Sequence, residues 1–322
     1  MDGLTLQRYI PGDAGEWTAF VSESRNGTFL FDRSYMDYHA DRFADHSLIV
    51  RKGGRIVALL PANLRQDDGE SLLQSHGGLT YGGWILPPRH TDAMDVLQCF
   101  RLLREYAVAE GIDTLDYKPV PYIYHRMPSQ EDLYALFREG ARLTERNISC
   151  CIDLAANPGL NTRQRRNLKR AVESKGIDVT EIDDCETFHA GLTDCLRERH
   201  GVAPVHSLSE LRLLMERQPQ IRLFTVNDAD GAPQAGVCVF DTGRVAHAQY
   251  IWSTGEGRRD GMLTYLFTRL YEIFSHCRYF DFGICNEDHG RYLNEGLYMQ
   301  KSSLGGSGVI YDRYRIDYTS SR

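Results

Sequence analysis

The sequence predicts an α/β protein of two tandem halves, each a mixed, mostly antiparallel sheet flanked by helices. Three observations carry that class. One order of elements is written twice along the chain. Each copy ends on a strand that sets an aspartate beside an aromatic residue. The 322 residues are enough for two cores of ordinary size.

In the first copy, Ser47 to Arg51, a Lys52-Gly53-Gly54 turn and Arg55 to Leu60 read as a β-hairpin. A third strand is expected near Thr80-Tyr81, then a helix over about 91–110, then a strand from Thr114 to Lys118. The second copy runs Ile221 to Val226, a turn at Asp230-Gly231, Ala235 to Phe240, and a third strand from Val245 to Tyr250. A helix over about 261–275 and a strand from Tyr279 to Gly283 complete it. A repeat of this length is too long for a solenoid and indicates a duplicated domain. The expected division is 1–145 and 146–322. An opening helix at 13–24 shows Trp17, Phe20 and Val21 at helical spacing, and a strand over 143–154 carries the chain into the second half.

Composition excludes several classes. With 42% hydrophobic and 25% charged residues the chain is globular, and a net charge of −7 argues against a general nucleic-acid coat. No apolar run reaches bilayer length, and the N-terminus shows no signal-peptide pattern. The eight cysteines form no Cys-x-x-Cys pair and keep no zinc-type spacing to histidine, so no metal is expected and the protein reads as reduced and cytoplasmic. The vicinal Cys150-Cys151 reads as core strand.

Two segments point to anions. Asn161 to Ala171 reads as a capped basic helix in which Arg163, Arg166, Lys169 and Arg170 share a face, with Arg165 and Lys175 close by. A solvated cationic face and a phosphate contact both fit that pattern. Later, Tyr250-Ile251-Trp252 ends a strand at Gly255-Glu256-Gly257-Arg258-Arg259-Asp260-Gly261, which opens a helix. Strand, glycine turn and helix N-terminus together make an anion site, strengthened by the two arginines.

These residues carry a resemblance. Arg258-x-x-Gly261-x-Leu263 resembles the pyrophosphate motif of GNAT acyltransferases, departing where Leu263 replaces a small residue. The basic helix, Phe280-Asp281-Phe282-Gly283, and the closing Gly296-Leu297-Tyr298…Lys301…Gly305-Gly306 run resemble the double-GNAT group that includes the Fem-type peptidyltransferases. In the first half, Leu60-Pro61-Ala62-Asn63 and the Ser75 to Gly83 loop are similar to that group as well. The resemblance implies N-acyl transfer from an activated donor to an amine on a sugar, lipid or peptide envelope precursor in one ternary complex. It implies acetyl-CoA or another acyl-CoA as co-substrate, with acyl-carrier protein or aminoacyl-tRNA as alternative donors. A nucleotide- or lipid-linked amino sugar is the implied acceptor.

On this reading Lys301 stabilises the oxyanion, where Fem-type proteins carry a functional lysine. Asp281, at the end of its strand, takes the amine proton, and His200 is a candidate lying over the cleft. Gly257, Arg258, Arg259, Gly261, Tyr250 and Trp252 are expected at the cofactor. Arg163, Arg166, Lys169, His76 and Tyr81 are expected at the acceptor. Two rivals stand beside it: a Fem-like aminoacyl-tRNA-dependent ligase, and a non-catalytic GNAT scaffold holding a phosphorylated metabolite.

Overall fold

The computed structural model describes residues 3–156, 159–173 and 177–319; Lys175 and the side chain of His200 lie outside them. In chain order the first elements are β1 (Leu4–Arg8), α1 (Ala14–Glu23), α2 (Arg33–Met36), β2 (Leu48–Lys52), β3 (Arg55–Leu60), β4 (Asn63–Asp67) and β5 (Glu70–Gln74). Then come α3 (Ala93–Ala109), β6 (Thr114–Tyr117), α4 (Glu131–Arg138) and β7 (Arg142–Asp153). The rest are α5 (Thr162–Glu173), β8 (Asp178–Ile182), α6 (Cys185–His200), α7 (Leu208–Arg217), β9 (Ile221–Asn227), β10 (Pro233–Asp241), β11 (Val245–Ser253), α8 (Gly255–Arg259) and α9 (Met262–Ile273). The chain closes with β12 (Tyr279–Ile284), β13 (Asn286–Glu287), β14 (Tyr292–Leu293), α10 (Glu295–Ser303) and β15 (Ser307–Asp317).

The chain groups into two compact units. The first holds residues up to 147, 288–291 and those from 310 onward; the second holds 148–287 and 292–309. The last strand therefore does not stay with the second half of the sequence: Tyr314 to Asp317 pair antiparallel with Thr114 to Tyr117 in the first unit. Ile316 and Tyr318 complete a core there with Trp84, Phe100, Leu103 and Tyr117.

In the first unit, β1, β2 and β3 form an antiparallel sheet, while β4 and β5 pair antiparallel and β5 and β6 parallel. The strand expected near Thr80-Tyr81 is absent, because Gly77, Gly78, Gly82 and Gly83 break it into a loop that makes only an isolated bridge from Gly82 to Pro119. The extra strands are instead the β4–β5 hairpin, turning at Asp68 (φ 48°) and Gly69 (φ 86°), the left-handed pair that a tight hairpin favours. Its polar Arg65-Gln66-Asp67 stretch concealed it.

In the second unit, β12 pairs antiparallel with β7, parallel with β11, and β11, β10, β9 and β8 continue antiparallel. One face carries Val237, Val239, Ala246, Phe280 and Phe282 against Leu266, Phe267 and Leu270 of α9. Alternation along each strand sends Gly236, His247 and Asp281 to the opposite face. Each unit thus repeats hairpin, helix and parallel strand, a tandem pair of GNAT-like folds.

Candidate active site

The pairing of β11 with β12 covers only Val245–His247 against Tyr279–Asp281, although β11 runs on to Ser253. Beyond that last rung the strands part. Beside the notch lie two cavities of the second unit, which share Leu263, Gln300 and Leu304 in their walls.

The larger, of about 650 Å³, is bordered by α5, the N-terminus of α9 and α10. Gly261 caps α9 at φ 78°, and a Cβ there would lie 2.3 Å from the Asn167 carbonyl oxygen, so only glycine fits. It offers no side chain to the helix, which leaves the first-turn amides of α9 without a side-chain cap. Arg163 and Arg258 add positive charge to the same wall. Arg258 is held by donating from Nη1 to the Ser253 carbonyl at 2.6 Å. Gln164 ties the wall together, donating to Ser303 Oγ at 2.7 Å and accepting from Thr264 Oγ1 at 2.6 Å. An uncapped helix N-terminus flanked by two guanidinium groups suits a phosphate or diphosphate.

The glycine turn itself works differently from the sequence expectation. The Gly257 amide donates to Thr254 Oγ1 at 2.9 Å, and a Cβ on Gly257 would meet the Gln234 carbonyl oxygen at 2.4 Å. Gly257 thus serves close packing, and the open amides belong to α9. Arg259 lines neither cavity; its carbonyl accepts from Arg170. Arg166 and Lys169 are exposed and outside both walls, with Lys169 3.7 Å from Glu173.

The smaller cavity, of about 150 Å³, lies at the notch between Ile251, Trp252 and Phe282, with Lys301 in its wall. Lys301 sits on α10 and is only 6% exposed. Its Nζ donates to the carbonyls of Gly283 (2.9 Å) and Ile284 (3.0 Å), just past Asp281. The Cys285 thiol stands within side-chain hydrogen-bonding reach of the same ammonium. Burial lowers its pKa from the ordinary lysine value. Trp252 lies in a slot made by two glycines: a Cβ on Gly191 would meet its ring at 2.8 Å, and one on Gly236 its Nε1 at 2.4 Å. That buried Nε1 has no hydrogen-bond partner, an orphan of the kind a ligand completes.

Asp281 is wholly buried. It accepts from Ser149 Oγ and, at 3.2 Å, from the Gly283 amide, while its other oxygen faces His247 Nδ1 at 2.9 Å. Both oxygens of the carboxylate are thus engaged within the protein. His247 was not singled out in the sequence; only the parallel register, which sets it opposite Asp281, reveals the pair. Tyr250 is engaged with His206, its hydroxyl 2.6 Å from Nδ1, and ties β11 to the segment before α7.

His76 and Tyr81 are buried in the first unit. His76 packs against His39 and Phe43, and burial pushes its imidazole down to about 2, so it is neutral. Tyr81 donates to Thr28 Oγ1 at 3.2 Å and packs on Phe31 and Tyr124. No helix among the described residues is long and apolar enough to cross a membrane.

Residues 161–291 match the family model described as Acetyltransferase (GNAT) domain. Among solved structures, FemX aligns with a TM-score of 0.69 at 13% identity over 96% of both chains. L-PGS from Bacillus licheniformis aligns at 0.59 and 12% identity, over 95% of this chain and 91% of that one. A tandem GNAT protein from the clavulanic acid biosynthesis pathway aligns at 0.50 and 14%, over 98% and 99%. No curated protein matches the sequence significantly. Arg163, Arg258 and Gly261 lie within the residues that match the GNAT acetyltransferase domain, Lys301 lies just beyond them, and the likeness to FemX and to the tandem GNAT protein shows a double-GNAT fold over the length of the chain.

Proposed function

We propose that the protein transfers an acyl group from acyl-CoA to an amine on a sugar, lipid or peptide envelope precursor, in the cytoplasm. The carrying observation is the pair of cavities with common walls, which leads from a cationic helix N-terminus to a buried lysine at the notch. The diphosphate of the donor rests on the α9 amides with Arg258 and Arg163. The acyl carbonyl meets the Lys301 ammonium, displacing its contact with the Cys285 thiol. The acceptor amine attacks the carbonyl carbon, the C–S bond breaks, and sulfur leaves as the thiolate.

The amine proton passes to His247 Nε2. Asp281 holds the Nδ1 side of the ring and so orients the imidazole, the role a buried carboxylate plays beside a catalytic histidine. His247 is proposed as the base and Asp281 as its positioning residue; Lys301 supplies the electrophilic contact. Arg166 and Lys169 are left for the phosphates of a larger acceptor. The two compact units are proposed as the two domains, with the working site in the second.

Calorimetry with acetyl-CoA tests the donor. Saturable one-site binding that weakens in Arg258→Ala supports the reading. Absence of binding by folded protein overturns it in favour of an aminoacyl-tRNA or acyl-carrier donor.

A further inference from the structure

A second cluster lies in the same unit, at the other end of the β11–β12 pair. Asp241 ends β10, while His276 and Cys277 stand in the turn between α9 and β12, thirty-odd positions later in the sequence. Their candidate ligand atoms all lie within 4.8 Å of one another. The His276 Nε2 to Asp241 Oδ2 distance is 2.9 Å, and the Cys277 thiol donates to Asp241 Oδ1 at 3.4 Å. Metal bonds of about 2.0 Å to nitrogen and oxygen and about 2.3 Å to sulfur, at tetrahedral angles, put ligand atoms roughly 3.3–3.5 Å apart. The His276–Asp241 edge therefore already stands within a few tenths of an ångström of its final length, while the Cys277 contact is to the other carboxylate oxygen, so the carboxylate turns to present one oxygen to the ion.

We propose that Asp241, His276 and Cys277 bind a divalent transition-metal ion of the zinc or cobalt kind, with water completing the shell. The donor set selects the ion: a thiolate with an imidazole favours zinc or cobalt over magnesium or calcium. On binding, the Cys277 thiol gives its proton to solvent and sulfur takes the metal. One thiolate and one carboxylate then balance the 2+ charge. An activated nucleophile is the wrong account of this cysteine. Its thiol bonds to a carboxylate, not to the imidazole, and burial and the Asp241 charge push its pKa up. Arg222, the neighbouring cation, is engaged by Glu181 at 2.7 Å. The ion would fasten the turn before β12 to the end of β10, at the closed end of the parting strands.

The test is a Co²⁺ titration of the chelator-treated full chain without substrate, so it stands apart from the acyl-transfer reading. One Co²⁺ per chain with a thiolate-to-metal charge-transfer band is expected. Cys277→Ser should lose that band. His276→Ala, which changes a half-exposed side chain, should weaken binding by more than the ~10–100-fold typical of losing an outer-shell partner. Absence of the band in the native chain, or its persistence in folded Cys277→Ser, overturns the site. Should Cys277→Ser not fold, unchanged Co²⁺ affinity in His276→Ala overturns it alone.

Discussion

In the first unit, Asp116 stands opposite Gln74 on the last rung of the parallel β5–β6 pair; in the second, Asp281 stands opposite His247 on the last rung of β11–β12. The surroundings of the two acids differ. Asp116 accepts from Gln74 Nε2 at 3.1 Å and pairs with Arg313 at 3.2 Å, two partners that do not exchange protons near neutral pH. Asp281 faces an imidazole, that of His247, instead. The notch beyond the rung differs as well. In the first unit the chain stitches it shut: Ser75 and Gly82 amides donate to the carbonyls of Asp116 and Lys118, both at 2.8 Å, and the Lys118 amide donates to Ser75 Oγ at 2.7 Å.

The helices that follow diverge in the same sense. Asp92 caps α3 by accepting from the Met94 and Asp95 amides, a closed and acidic end. The Gly261 cap of α9 leaves its amides open beside two arginines. The fold supplies the notch and helix twice; in the first unit a loop and a capping residue close both, and in the second the helix end stays without a side-chain cap.

Substitutions sharpen or break that contrast. Lys301→Ala should lower turnover by ~10²–10³-fold with the fold retained, the range for one oxyanion donor; turnover equal to the parent would remove Lys301 from the reaction. Asp281→Asn should lower kcat by about 10²-fold with little change in KM. Asp116→Asn should cost stability and leave turnover unchanged, and equal losses in both would end the asymmetry.

Acid should act on the plugged notch through His76. Its folded pKa, about 2, lies below the unfolded value of about 6.5. The unfolded chain therefore takes up a proton that the native chain refuses, and stability present above pH 6.5 is lost as the pH falls. Urea unfolding of the parent should lose ~2 kcal/mol between pH 7 and pH 5 relative to His76→Asn, which tolerates the φ of 45° there. Parallel pH curves for the two would show that His76 is not held neutral. Arg258→Ala should raise the donor KM about tenfold, the worth of one charge-assisted contact. Last, Asp92→Ala should lower stability by ~1 kcal/mol with no kinetic effect, as for a lost cap; a change in donor KM would mean α3 also meets the ligand.

Much of this was legible in the sequence. The two hairpins, α3, α9 and β12 follow from period and punctuation, and Lys301, Asp281, Arg163, Arg258, Gly261 and Trp252 stand at or beside the cavities the fold makes. What stayed hidden depends on register and long-range return. His247 looks like one more strand residue until the parallel rung sets it against Asp281. The Asp241, His276 and Cys277 group has no motif spacing, because the strand β11 and helix α9 lie between its parts. Arg166, Lys169 and Arg259 share a charge pattern with Arg163 and Arg258, yet they line neither cavity.

The placement of β15 has a consequence for synthesis. A ribosome makes the first unit's opening strands early, but Ile316 and Tyr318, which finish that unit's core, emerge only after the whole of the second unit has been made. Through most of translation the edge of β6 that β15 will cover stays unpaired, a surface other chains can join. The second unit, continuous apart from a short excursion, can close first. Cutting the chain short before β15 should therefore harm the unit that was made first.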